Sequence, residues 1–70
     1  MMNKYEIIIY WNKADEVFVA EMPELSGCIA HGETQDEALR EINTVAEEWL
    51  KIAEEKNWHI PEPKGKLMFA

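Results

Sequence analysis

Three groups of residues in this chain have types and spacings that could do chemistry. Glu6, Asp15 and Glu21 lie on or beside β-rich stretches, and converging carboxylates bind Mg²⁺ or divide acid and base roles. Cys28 and His31 stand in a C-x-x-H spacing, with His59 far along the chain. Ser26 sits in the turn-like run ELSGC. None of the three completes a site. Strand parity puts Glu21 on a face with Val17 and Val19, so a carboxylate pair with Glu6 depends on register, and solvated strand carboxylates are the simpler reading. A structural zinc site needs four ligands, and no second close Cys/His pair exists. Ser26 is not on a strand–turn–helix elbow, and Gly27 and Gly32 are wrongly spaced to cradle a phosphate. Catalytic, metal and cofactor residues are therefore assigned to no position, and a non-enzymatic protein is expected.

Composition narrows the partners. The 70 residues carry 14 Asp and Glu against 7 Lys and Arg, a net charge of −7. Binding nucleic acid requires clustered cations that displace counterions from phosphate, so direct nucleic-acid binding is disfavoured. Trp11, Trp49 and Trp58 lack the interleaved Arg and Lys of a base-stacking platform. Such a surface suits a basic protein partner. No apolar run approaches membrane-spanning length, and the N-terminus lacks the order of a signal peptide, so a cytoplasmic protein without membrane contact is expected. A single cysteine excludes a disulfide within the chain. A core this small is marginal and gains from a partner subunit.

The elements that must position these residues follow from periodicity. Tyr5 to Trp11 is a β-branched and aromatic run with Tyr5, Ile7, Ile9 and Trp11 on one face and Glu6, Ile8 and Tyr10 on the other. Asn12 to Glu16 is a polar turn into a second strand, Val17 to Met22, and the pair reads as an antiparallel hairpin. Pro23 ends that strand, Gly27 permits the turn in PELSG, and Cys28 to Gly32 is a third strand. Thr34-Gln35-Asp36-Glu37 is a capping box, in which the Thr34 hydroxyl accepts from the Glu37 amide and the Glu37 carboxylate reaches back to the Thr34 amide. From about Gln35 to Lys56, Ala38, Leu39, Ile42, Val45, Ala46, Trp49, Leu50 and Ala53 form one apolar stripe. Asn57 and Pro61 stop the helix. Ile60 to Pro63 is extended, and Lys66 to Ala70 adds a last strand.

The expected fold is a single α+β domain of order β-β-β-α-β. It is an antiparallel three-stranded meander plus a returning strand parallel to the first, with one helix on one face. One helix covers one face. Ile8 and Tyr10 point to the other, so that side needs self-association, as a dimer or tetramer, or a partner protein.

The order of these signals resembles the HicB-type antitoxin family. The residues carrying the likeness are Pro23-Glu24-Leu25-Ser26-Gly27-Cys28, His31-Gly32-Glu33-Thr34, Glu37-Ala38-Leu39 and Ile60-Pro61-Glu62-Pro63. They match a family pattern of Pro-Asp-Leu-Pro-Gly-Cys, Gly-Asp/Glu-Thr, a helix opening on Glu-Ala and a close near Ile-Pro-x-Pro. Ser26 replaces a proline, Glu24 an aspartate, and Lys13-Ala14-Asp15-Glu16 stands where relatives usually have an Asp-Gly pair. The resemblance implies a partial ribonuclease-H-like fold without nuclease carboxylates. It also implies an antitoxin that occludes a small basic mRNA-cleaving toxin of HicA type. Many members add a C-terminal DNA-binding module; this sequence ends at Ala70 without one, and toxin binding alone is expected of it. Asp15, Glu16 and Glu24 are the candidate steering carboxylates and Trp11 the aromatic anchor. Two other readings are a stand-alone oligomeric regulatory or ligand-binding module, and a residual metal-dependent nuclease built on Glu6, Asp15 and Glu21.

Overall fold

The computed structural model describes residues 4–65. Three strands, β1 (Ile8–Asn12), β2 (Val17–Glu21) and β3 (Ile29–Gly32), precede one helix, α1 (Gln35–Lys56). The strands form one antiparallel sheet in the order β1-β2-β3. The expected strand at Lys66 to Ala70 lies outside the described residues. Among the described residues, no helix is long and apolar enough to cross a membrane.

The hairpin register places Ile8 opposite Glu21 and Asn12 opposite Val17. The expected alternation of faces therefore holds in both strands. The first strand is shorter at its start than its composition suggests. Continuing the register, Ile7, Glu6 and Tyr5 would meet Met22, Pro23 and Glu24. Pro23 has no amide to give a ladder, and the chain there is already turning. The Leu25 amide donates to the Met22 carbonyl at 3.0 Å, and the Cys28 amide to the Leu25 carbonyl at 3.0 Å. The same turn trims Met22 from β2 and Cys28 from β3, although the Met22 amide still donates to the Cys28 carbonyl at 3.0 Å.

The loop is part of the core. Met22, Leu25 and Cys28, spaced by three, are buried with Ala20, Ala30, Ala38, Ile42 and Ala46. Gly27 takes φ +77° between them, a conformation that a side chain rarely adopts. From the helix, the Trp49 indole donates to the Ser26 carbonyl at 2.9 Å and fixes the loop's outer turn. Two consecutive turns, sharing Leu25, thus fold three apolar side chains under the end of the sheet.

The helix is set close against the sheet by small residues. Ala20 and Ala30 on the strands meet Ala38, Ile42 and Ala46 on the helix. The tightest crossing is at Gly32, where a Cβ would stand 2.4 Å from the Ala38 nitrogen. Because β3 crosses the helix so closely, α1 lies chiefly over β3, less over β2 and least over β1. Both ends of the helix are capped by side chain or backbone. The Thr34 hydroxyl accepts from the Glu37 amide at 3.0 Å, as the capping box requires. The Glu37 carboxylate, however, accepts from the Glu33 amide at 2.9 Å rather than from Thr34. The close approach of Gly32 to the first turn brings that earlier amide within reach. At the other end, Asn57 is left-handed (φ 57°), its amide donates to the Glu54 carbonyl at 3.3 Å, and that of Trp58 donates to Ala53 at 2.8 Å. These are the bonds of a Schellman close. Trp58 then packs at a tilt of 60° against Trp49, ring centres 5.9 Å apart. Leu39, on the expected stripe, remains exposed in the first turn.

Candidate interaction surfaces

The four residues expected to meet a partner fall at two ends of the sheet. Trp11, Asp15 and Glu16 are at the hairpin end. Glu24 is at the other end, beyond the Ile8–Glu21 pair, with its carboxylate at the Glu6 amide.

The hairpin end is built by a turn of unusual composition. The Asn12 side-chain carbonyl accepts from the Asp15 amide at 3.1 Å, a side-chain closure across three residues where the resemblance implied an Asp-Gly pair. Glu16 completes the reversal at φ 54°. A non-glycine residue there costs about 1 kcal/mol relative to glycine. Replacing Glu16 by Gly is therefore expected to stabilise the fold by roughly 0.5–1 kcal/mol in urea unfolding. An unchanged or lowered midpoint would show that the Glu16 side chain contributes more than its backbone loses. Both Asp15 and Glu16 are exposed.

Trp11 is 49% exposed, although it lies on the face of the sheet that carries the helix. The register explains this. Trp11, Phe18 and Gly32 form one row across the sheet, and the helix crosses it at Gly32, two strands or about 10 Å away. Trp11 is instead held edge-on against Phe18, ring centres 5.0 Å apart. An aromatic ring that is oriented but uncovered, beside two solvated carboxylates, is the arrangement a partner's apolar and basic groups would meet.

Glu24 is engaged within the chain. One carboxylate oxygen accepts from the Lys64 amide at 3.1 Å and the other, at a long 3.5 Å, from the Glu6 amide, whose strand partner would have been Pro23. The Tyr5 hydroxyl donates to the Pro61 carbonyl beside it. Burial, and then Glu24 and Glu62, push the Tyr5 phenol above its ordinary value, so it stays a neutral donor. Glu24 and Tyr5 together hold the segment after the helix against the approach to β1. The sequence carried no signal for this role, which depends on where Lys64 returns.

The remaining chemical candidates resolve simply. The Cys28 thiol is buried and pushed up by loss of solvent, which keeps it protonated and inert at neutral pH. The Glu21 carboxylate accepts from the Tyr10 hydroxyl at 2.8 Å, and this bond is the main cause that raises the Tyr10 phenol. Among the described residues, no three of His, Cys, Asp and Glu come together in a way that could hold a metal ion.

The second surface is the face of the sheet away from the helix. Ile8 and Tyr10 are each 41% exposed and Ile29 is 47% exposed. Val19, between Tyr10 and His31 on the central strand, is only 3% exposed because its two cross-strand neighbours shield it. The uncovered side expected from Ile8 and Tyr10 is present. Ile29 extends it, a position that the weak alternation of the third strand did not reveal.

No solved structure matches the chain. A UPF0150 protein of Synechocystis sp. is 41% identical over 63 residues, which is 90% of this chain and 85% of that protein. A family model described as UPF0150-like matches residues 3–61, spanning the hairpin, the buried loop, the helix and Pro61. The chain belongs to the UPF0150-like family.

Proposed function

We propose that this chain is a non-enzymatic, cytoplasmic inhibitor of the HicB antitoxin type, which binds a small basic mRNA-cleaving toxin of HicA type and occludes it. The observation that carries the reading is the hairpin end: a half-exposed Trp11 braced by Phe18, with Asp15 and Glu16 at the adjoining turn. An aromatic anchor with two rotatable bonds gives contact area at low entropic cost. The carboxylates, in a chain of net charge −7, steer a cationic protein toward it and act mainly on the association rate. Glu24 serves this reading indirectly, by holding the segment after the helix against the approach to β1. The family-like order of PELSGC, HGET and IPEP supplies the toxin's chemical class.

The test is whether an adjacent gene encodes a small basic protein, and co-expression with that protein. If that neighbour arrests growth, this chain is expected to relieve the arrest and to copurify. Trp11→Ala should weaken the complex by about 2 kcal/mol, the scale of an interface anchor. Reversing Asp15 and Glu16 to Lys should slow association and remove most of its salt dependence. Arrest that persists, with no copurification, contradicts the proposal. It would favour the second reading, a stand-alone oligomeric module, which draws on the uncovered sheet face.

A further inference from the structure

The segment that follows the helix has a fixed root and a lightly held run beyond it. At the root, the Trp58 amide donates to the Ala53 carbonyl at 2.8 Å. The Trp58 ring packs against Trp49, whose indole is bonded to Ser26. From His59 to Lys64 the support changes. Among the described residues, no backbone–backbone hydrogen bond joins this run to the rest of the chain. Two side chains hold it instead: the Tyr5 hydroxyl donates to the Pro61 carbonyl, and the Glu24 carboxylate accepts from the Lys64 amide at 3.1 Å. Ile60 and Pro61 are half-buried, and Glu62, Pro63 and Lys64 are exposed.

We propose that His59–Lys64 is a hinged strap that opens as one unit while the sheet and helix stay folded, and that its closed state withholds the Glu24 carboxylate from other donors. Pro61 and Pro63 fix their own backbone angles, and a proline-containing run of this kind stays extended over several residues. Such a run does not yield at Lys64 alone; the holds at Pro61 and Lys64 release together. The two holders are anchored on the other side. Glu24 lies between Met22 and Leu25, both buried, and Tyr5 packs on the same core. The strap therefore moves and the latch does not. Burial, then Glu24 and then Glu62 raise the Tyr5 phenol, so Tyr5 feels the latch on one side and the strap on the other. Opening costs two hydrogen bonds of modest net worth, whereas freeing the helix would expose Ala38, Ile42 and Ala46. Segments held this lightly open locally, well below the cost of global unfolding.

Native-state hydrogen exchange of the full chain, read by NMR at the Lys64 amide, tests this. In the wild type that amide is expected to be protected, but at least about a hundredfold less than the helix amides of Ile42 and Ala46. Its rate should not change at urea concentrations below the unfolding transition. Tyr5→Phe leaves the Glu24–Lys64 bond in place and should still speed Lys64 exchange about fivefold, because the strap opens as one. Pro63→Gly removes neither hold, and its added freedom should raise the rate about two- to fivefold. Carbodiimide-driven amidation of Glu24, read by mass spectrometry, should rise in both variants, and both should keep the wild-type circular dichroism. A Lys64 amide that is unprotected, or that exchanges only as slowly as Ile42 and Ala46, overturns the proposal. The first result means an open segment, the second one that opens only with the whole fold. A correctly folded Tyr5→Phe or Pro63→Gly chain with wild-type Lys64 exchange overturns it too, since the holds would then act independently. Glu24 amidation that stays constant while Lys64 exchange rises overturns the masking of the carboxylate.

Discussion

Gly32→Ala is expected to be among the most damaging single-methyl additions in this protein. The new Cβ would stand 2.4 Å from the Ala38 nitrogen and 2.9 Å from both the Ala38 Cα and the Glu37 carbonyl carbon. All three are backbone atoms of the first helical turn, so no rotamer change relieves the contact; the strand and helix must separate. Overpacking of this kind costs about 1–3 kcal/mol and occasionally more, and here the upper end applies. In a chain of 70 residues a loss of about 3 kcal/mol corresponds to a melting point lower by roughly 12–24 °C. Gly27→Ala provides the contrast. At φ +77°, with nothing within 4 Å of the added atom, it should cost only the left-handed strain, about 1–2 kcal/mol. The comparison belongs at one protein concentration, since association would shift both midpoints. Equal losses at the two glycines would mean that the helix does not pack on β3 as closely as Gly32 and Ala38 require.

Leu25→Ala is the second large effect, and an unexpected one for a residue in a loop. Leu25 is 1% exposed and lies in the same cluster as Met22, Cys28 and Ile42. Removing its three outer carbons leaves a cavity beneath the sheet, at a cost of about 3 kcal/mol. Leu39→Ala, on the helix but exposed, should cost well under about 1 kcal/mol, as surface changes do. Urea unfolding of the two variants compares them directly. If Leu39 proves the costlier site, the PELSG segment is a surface connection and its two consecutive turns do not carry core packing.

These expectations mark where the sequence could be read and where it could not. The helix from Gln35 to Lys56 was legible to its last residue. Thr34 caps its start, Asn57 closes its end, and the stripe of period 3.6 lies between them. All three are local signals. Strand faces were legible for the same reason, since parity needs no partner. The start of β1 was not. Tyr5 to Ile7 have strand-forming side chains, but a ladder needs a partner amide, and Pro23 removes it across the sheet. The capping carboxylate shows the same limit on a smaller scale: Glu37 takes the Glu33 amide because Gly32 lies against the helix, a tertiary contact invisible in Thr-x-x-Glu.

The surfaces divide in the same way. Ile8 and Tyr10 could be assigned to an uncovered face from alternation alone, and that face is indeed uncovered. Trp11 was foreseeable as aromatic and near the turn. That it would lie on the helix side and still be exposed depends on the helix favouring β3 over β1. Glu24 looked like a surface carboxylate of a polar turn. Its bonds to the Glu6 and Lys64 amides join positions 18 and 40 residues away, a closure that no local pattern encodes.

The central claim is that the hairpin end meets a basic toxin. Native mass spectrometry tests it, with this chain co-expressed with any small basic protein that a neighbouring gene encodes. Wild-type complexes are expected to contain the toxin, and Trp11→Ala complexes to lose most of it. A Trp11→Ala chain that retains the toxin in full, or a wild-type chain that captures none, would contradict the account.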